Sequence, residues 1–226
     1  MHRIIEKAKK EKRSLLETEA KELLKEYGIP VPDFKLIKSE EKITGLAKEI
    51  NFPIAMKIVS PDIIHKTDAG GVKLNIKDET EARLAYQEII SKVKKYNKEA
   101  QIFGVITYSM IPKETEIIIG IMKDSHFGPV IMFGLGGIFV EVLKDISFRI
   151  LPMEERDARE MITEIKGYEI LKGVRGEGPK DIKAIKNLLL KISQLALENP
   201  EISEIDLNPV FVFEKGLQVI DARMIL

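Results

Sequence analysis

Phe52-Pro53-Ile54-Ala55-Met56-Lys57-Ile58-Val59 runs directly into Ser60-Pro61-Asp62-Ile63-Ile64-His65-Lys66-Thr67-Asp68-Ala69-Gly70-Gly71-Val72. The first segment is an apolar run that reads as a buried strand, with one lysine inside it. Pro61, Asp62, Asp68, Gly70 and Gly71 then argue for a loop able to approach another molecule closely or to move. The chain has only three histidines, His2, His65 and His126. Of these, His65 lies just past the strand beside two glycines, where it is free to accept phosphate or carry a proton. The plainer alternative is a solvent-exposed loop histidine.

Upstream of this stretch, residues 4–27 carry a helical pattern in which Leu16, Ala20, Leu23, Leu24 and Tyr27 share a face. The lysine-rich segment before Ser14 reads as a solvated extension of that helix. Gly28 ends it, and Pro30 and Pro32 prevent its resumption. Asp33 to Ile37 reads as a short strand, and Ser39-Glu40-Glu41 opens a helix expected to run through Ile50. Downstream, Val72 to Ile76 is a second strand, and Lys77-Asp78-Glu79-Thr80 starts a helix with Ala82, Leu84, Ala85, Ile89, Ile90 and Val93 on its apolar face. The order β-α-β-β-α makes a compact α+β lobe ending near residue 100, and a strand from Ile102 to Met110 leads out of it.

The remainder begins and ends with strands. Thr115 to Met122 looks buried, and Val130 to Phe133 and Ile138 to Leu143 flank Gly134-Leu135-Gly136-Gly137, a hairpin signal. Helices follow over 154–165 and 180–198, separated by the loop Gly173-Val174-Arg175-Gly176-Glu177-Gly178-Pro179. A final hairpin joins Glu204–Phe213 to Leu217–Ile220 through Glu214-Lys215-Gly216. The fold class expected is α/β, as two α+β lobes covering 1–105 and 106–226 with a cleft between them.

With 226 residues the chain is long enough for a large core in a bilobed domain or two small ones. No run approaches the ~20 apolar residues of a membrane span, and the N-terminus lacks the pattern of a signal peptide. Zero cysteines exclude disulfides and a cysteine nucleophile. The 36 basic and 36 acidic residues cancel, so nothing points to nucleic acid or an anionic membrane. A cytoplasmic location is expected, and the charge-rich, Lys-, Glu- and Ile-biased composition is common in proteins of hot environments.

Several residues could carry chemistry. Lys57 on a central strand needs a partner, such as a nucleotide phosphate, unless it lies on an edge strand and reaches solvent. With the last hairpin's turn centred between Glu214 and Lys215, Asn208 falls opposite Asp221, and Asp206 shares the face of Asn208. Such oxygen ligands suit Mg²⁺, which takes a few protein oxygens plus phosphate and water. The alternative is that Asn208-Pro209 ends a strand and Asp221 pairs with a surface lysine. Glu116 and Glu141 are acids inside apolar strands, each a contact for ribose, metal or lysine. Gly134-Leu135-Gly136-Gly137 reads as a tight turn: no Gly-Lys-Ser/Thr follows, and strands flank it. No Gly-x-Ser-x-Gly is present.

Five segments together carry a resemblance. They are Tyr27-Gly28-Ile29-Pro30-Val31-Pro32, Phe52–Lys57, His65–Val72, Phe127-Gly128-Pro129-Val130-Ile131-Met132-Phe133-Gly134-Leu135-Gly136-Gly137 and Glu204-Ile205-Asp206-Leu207-Asn208-Pro209. From about residue 14 to its end the chain resembles the beta subunits of archaeal ADP-forming acetyl-CoA synthetases, relatives of the succinyl-CoA synthetase beta subunit. The resemblance implies an ATP-grasp fold holding ATP or ADP between two lobes, and a reversible reaction in which acyl-CoA, ADP and phosphate give acid, CoA and ATP. It implies that Lys57 contacts the nucleotide phosphates, that Ser109, Met110 and Ile111 line the adenine pocket, and that Glu116 helps bind nucleotide. Asn208 and Asp221 would hold Mg²⁺. His65 would be a second phosphorylated histidine, ferrying phosphate from one on an alpha subunit, with Asp206 orienting it. Glu141, Arg149 and Arg175 receive no role.

No Gly-rich CoA-binding signature and no alpha-subunit histidine loop is found in the sequence, so the resemblance implies a partner alpha subunit, in an alpha2beta2 assembly. Two other readings compete: an ATP-grasp carboxylate–amine ligase, which leaves His65 without a role, and a non-catalytic nucleotide-sensing module, which loss of the loop histidine or metal residues would favour. Both features are present, so the ligase subunit is the reading carried forward.

Overall fold

The structure, a computed structural model, describes residues 2–226 apart from Ile138, Phe139, Glu141, Arg175 and Glu177. It divides into two units, Pro32–Pro112 and a second made of the residues through Val31 together with Lys113–Leu226. The division corrects the expected boundary at 105/106 and the assignment of the N-terminal helices to the first lobe.

In the first unit β1 (Phe34–Ile37), β2 (Ile54–Val59), β3 (Val72–Ile76) and β4 (Gly104–Ser109) form an antiparallel sheet ordered β1-β4-β2-β3. The fourth strand therefore does not lead out of the lobe; it pairs on both edges inside it. Ile54, Met56 and Ile58 alternate onto the face that packs against Ala82, Ala85, Ile89 and Val93 of helix Glu79–Tyr96. That helix starts where the Asp78 carboxylate accepts from the Glu81 N–H at 2.8 Å, and Lys94 and Lys95 sit in its last turn. The helix expected from Ser39 to Ile50 is instead two 3₁₀ turns, Glu40–Ile43 and Leu46–Lys48. Gly45 separates them at φ 84°, a left-handed conformation no α-helix interior accommodates.

The second unit opens with helices α1 (Arg3–Lys10) and α2 (Glu17–Glu26), two elements where one was expected. The first is no solvated extension, since Ile4, Ile5 and Ala8 are buried in this unit's core with Leu23 and Leu24. The break between the helices is fastened by Arg13, whose guanidinium donates to both Glu19 carboxylate oxygens at 2.6 and 2.8 Å. Burial pushes the Glu19 carboxyl up, but Arg13, the Leu16 N–H and Lys7 together outweigh it and hold it below its usual range.

A six-stranded sheet follows: β5 (Thr115–Asp124), β6 (Gly128–Leu135), β7 (Ile146–Ile150), β8 (Glu204–Val212), β9 (Leu217–Val219) and β10 (Ala222–Ile225), ordered β10-β8-β5-β6-β7 with β9 also on β8. One face packs against helices 155–164 and 182–198, through Ile117, Ile119, Ile121, Phe133, Ile205 and Leu207 on the sheet side. The expected partner of β6, Ile138 to Leu143, is corrected to β7. Residues 138, 139 and 141 lie outside the described residues, and Val142 and Leu143 form a turn. The chain leaves the sheet at Gly136 and re-enters after Asp145, whose carboxylate accepts from the Lys166 and Gly167 N–H groups at 2.7 and 2.6 Å. Among the described residues no helix is long and apolar enough to cross a membrane.

Candidate functional site

Lys57 lies on an interior strand, opposite Ile106 of β4 and Val72 of β3, which rules out the edge-strand alternative. Met56 and Ile58 fill the core, so alternation turns Lys57 to the opposite face. It is 6% exposed, and its Nζ lies 5.4 Å from the centroid of the Tyr108 ring, a cation–π distance. Lys57 is thus a buried cation against an aromatic ring, where its attraction for an anion is stronger than in water.

The strand that carries Lys57 delivers the chain into the histidine loop. Ile63 and Ala69 are buried and anchor it, while His65, Thr67 and Asp68 stay exposed. Its crest is shaped from within: Ala69 N–H donates to His65 O (3.2 Å), Gly70 N–H to Thr67 O (2.9 Å) and Gly71 N–H to Lys66 O (2.7 Å). At the entry the Asp62 carboxylate accepts from the Gln101 N–H at 2.7 Å. At the exit Gly71 is required by contact, because a Cβ there would meet Ile58 Cγ2 at 2.5 Å. Gly70 is left-handed at φ 67° and lies under the stem of Lys92. Lys92 is held by Glu88, whose carboxyl Lys73 and Lys92 together bring down to about 2.

Ser109, the last residue of β4, stands opposite Ile54, and Met110 N–H donates to Pro53 O at 2.8 Å. Ile111 follows in the half-exposed segment that leaves the sheet.

The other expected residues belong to the six-stranded sheet. Strand β8 pairs β9 as Val210↔Val219 and β10 as Ala222↔Leu207 and Arg223↔Asp206. One register runs through both pairings and through the Ile220 N–H to Pro209 O bond (3.0 Å), so Asn208 stands opposite Asp221 as expected. Ile205 and Leu207 are buried on the core face, which leaves Asp206 and Asn208 on the open one. Asp206 is level with Gly120 of β5, and Glu116 lies four residues along the same strand face, about 13 Å away at ~3.3 Å per residue.

Among the described residues no three His, Asp or Glu side chains gather as a metal cage. An amide oxygen on β8 and a carboxylate on the link between β9 and β10, opposite each other by register, nevertheless fit Mg²⁺, a hard cation that leaves most of its positions to water and phosphate. The arrangement brings Glu116, Asp206, Asn208 and Asp221 onto one sheet. Lys57, His65 and Ser109–Ile111 belong to the other unit.

A family model described as the ATP-grasp domain matches residues 7–226. The beta subunit of acetate–CoA ligase [ADP-forming] I from Pyrococcus furiosus is 56% identical, over 99% of this chain and 96% of its own length. The chain belongs to the ATP-grasp family, in the branch of ADP-forming acetate–CoA ligase beta subunits. In Archaeoglobus fulgidus, acetate–CoA ligase [ADP-forming] I is 46% identical over 99% of this chain, which spans 32% of that longer protein. The dinucleotide-forming acetyl-coenzyme A synthetase 1 of Ca. Korarchaeum cryptofilum has been solved with coenzyme A and Ca-AMPCP (TM-score 0.94, 49% identity, 98% of this chain and 97% of that one). A second structure of it holds coenzyme A and Mg-AMPPCP, with its phosphohistidine segment pointing towards the nucleotide binding site (TM-score 0.85, 46% identity, 99% and 98%).

The second unit also gathers polar residues that the sequence did not single out. A recess of about 980 Å³ within the second unit is lined by Glu114, Glu116, Leu135, Ile170, Lys180 and Glu214, among others. Lys180 is buried and donates to the Glu114 carboxylate at 2.8 Å. Gly136 closes over Glu116, donating its N–H to Glu116 O at 2.7 Å, and a Cβ at Gly136 would lie 2.9 Å from that of Glu116. Gly134 and Leu135 are the last paired residues of β6, which corrects the tight turn expected over 134–137, and Gly136 serves close packing. Arg149 ties β7 to helix 155–164 through Glu164 at 2.5 and 2.9 Å, a structural part. Glu141 and Arg175 lie outside the described residues.

Proposed function

We propose that this chain is the nucleotide-binding subunit of an ADP-forming acid–CoA ligase, converting acyl-CoA, ADP and phosphate to acid, CoA and ATP with a partner that supplies the acid and CoA sites. The observation that carries the reading is His65, exposed on a loop that begins where the Lys57 strand ends. A carboxylate–amine ligase has no use for that residue.

In this reading Lys57 binds nucleotide phosphate, Ser109, Met110 and Ile111 border the adenine, and Glu116 contacts the nucleotide. Asn208 and Asp221 hold Mg²⁺, which when bound neutralises charge on the phosphates. A ring nitrogen of neutral His65 attacks the phosphorus of the partner's phosphohistidine; a P–N bond forms as the old one breaks. ADP oxygen then takes the phosphoryl group from His65. In this reading the Asp206 carboxylate accepts the other ring N–H and so fixes the histidine's orientation during transfer. The assembly is alpha2beta2, and its setting is cytoplasmic. The Korarchaeum structure supports the reading, because it holds Mg-AMPPCP and a phosphohistidine segment pointing towards the nucleotide binding site.

The test is reconstitution. Purified chain should bind Mg·ADP yet form no ATP from acyl-CoA, ADP and phosphate, and adding the cognate alpha subunit should restore turnover in a hetero-oligomer. Full turnover by this chain alone would sink the proposal.

A further inference from the structure

Most of the large apolar side chains left exposed in the second unit fall in one stretch of sequence: Met122, Phe127, Val142, Leu143, Phe148 and Ile150. The sheet register places three of them side by side. Met122 pairs Val130, and Val130 pairs Ile150; Gly120 pairs Met132, and Met132 pairs Phe148. Ile119, Ile121, Ile131 and Phe133 alternate with them into the core, so Met122, Val130, Met132, Phe148 and Ile150 form one apolar field on the opposite face. Met122, Phe148 and Ile150 are 59, 49 and 50% exposed.

The strand at the margin of this field, β7, is the last of the sheet order. Edge strands are usually blunted by Lys, Pro or an inward-pointing charge. Here Arg149 is turned back onto Glu164 and Glu160, which leaves Phe148 and Ile150 facing outward. Among the described residues nothing guards this strand edge, and an apolar field running to such an edge marks a protein interface.

Position selects the occupant. The row Phe148–Met132–Gly120 continues into Asp206, so the field and the metal-bearing strand share one sheet face. At ~4.8 Å per strand, Phe148 lies three strands, about 14 Å, from Asp206. A body seated on the field is thus poised to deliver a group beside Asp206. The Archaeoglobus relative, of which this chain spans 32%, carries a further two thirds of sequence on the same polypeptide, and relatives of this chain's own length are named as beta subunits.

We infer that the apolar face of β5–β7, continuous with the strand that bears Asp206 and Asn208, is the docking surface for the separate polypeptide carrying the acid- and CoA-binding sites. The inference rests on the ligase reading above. Contact is apolar, completed by pairing along the β7 edge.

The experiment compares wild type with Phe148→Glu/Ile150→Glu, using the cognate alpha subunit, by light scattering after size exclusion and by titration of turnover against partner concentration. The double variant should weaken the complex by 100-fold or more and recover turnover only at high partner concentration. Its Mg·ADP affinity as the isolated chain should be unchanged, and the milder Phe148→Ser should weaken the complex about tenfold. Hydrogen exchange on the wild-type pair should show new protection over 128–132 and 146–150.

Wild-type affinity in the double variant, or no new protection over those strands, overturns the surface. So does a homodimer of the chain that the double variant abolishes while alpha binding persists, which would make a second copy the occupant. A wild-type pair that assembles but makes no ATP refutes the ligase reading alone, because assembly and protection still read the surface.

Discussion

The loop of His65 and the hairpin of Asn208 and Asp221 carry the two ends of the proposed chemistry, and they are built on opposite terms. The hairpin is fixed by pairing: β8 is bonded to β5 on one edge and to β9 and β10 on the other, in a register that holds across the site. The bonds that shape the loop's crest run between residues three to five apart, and it touches the core through Ile63 and Ala69. Undoing the hairpin means breaking a sheet, whereas displacing the loop breaks a few local bonds and withdraws two small anchors. A metal site needs its ligands held; a group that carries phosphate between subunits needs to leave its seat cheaply.

The largest effect belongs to the carrier. His65→Asn keeps the loop's size and polarity but removes the nucleophile, so ATP formation with the alpha subunit should fall on the order of 10³-fold or more. Melting temperature and Mg·ADP binding should match wild type. In the wild type, labelled phosphate should appear on this chain in acid-labile form, and in the variant it should stall on the partner. Wild-type turnover by His65→Asn would reduce the loop to a bystander and erase the contrast with the hairpin.

Next comes the fixed end. Asp221→Asn exchanges a carboxylate for an amide of the same shape, which the register can hold without strain. The cost should reach at least the roughly 10- to 100-fold that losing an outer-shell partner takes from a metal site. It should appear as a raised Mg²⁺ requirement for nucleotide binding and phosphoryl transfer. An unchanged Mg²⁺ titration, with melting equal to wild type, removes Asp221 from the metal site.

What could be read before the structure follows the same division. The register that brings Asn208 to Asp221 was legible because a short turn at Glu214–Gly216 fixes pairing by counting. The Lys57 strand was legible as an apolar run between turn signals. The placement of α1 and α2 was not: an apolar stripe shows that a helix buries a face, but not which sheet receives it. The 39–50 segment misled because composition does not announce that Gly45 takes a left-handed φ. The part-buried Lys180–Glu114 pair joins residues 66 apart in sequence, and nothing local to either marks it. Partners of the strands were harder to read than the strands themselves, which is why β7 was missed as the neighbour of β6.

The smallest effects come from one glycine in each region, and they separate the reasons each region needs it. Gly71, at the loop's exit, is constrained by packing: a Cβ would sit 2.5 Å from Ile58 Cγ2 and 3.0 Å from Lys66 O. Ile58 is fully buried in the core beneath the sheet and has little room to yield. Gly71→Ala should therefore cost about 2 kcal/mol, in the range for overpacking a filled interior. It should also lower phosphoryl transfer several-fold by displacing the loop, with Mg·ADP binding intact. Gly216, in the hairpin's turn, has open space around its Cβ position but φ 80°. Gly216→Ala should cost about 1 kcal/mol through left-handed strain alone and leave transfer and Mg²⁺ dependence at wild type, since pairing on both sides holds the ligands in place. Denaturant unfolding measures both costs, and turnover with saturating alpha subunit measures both activities. If Gly216→Ala disturbs transfer as much as Gly71→Ala does, the hairpin is no more fixed than the loop. The difference in construction would then not be a difference in function.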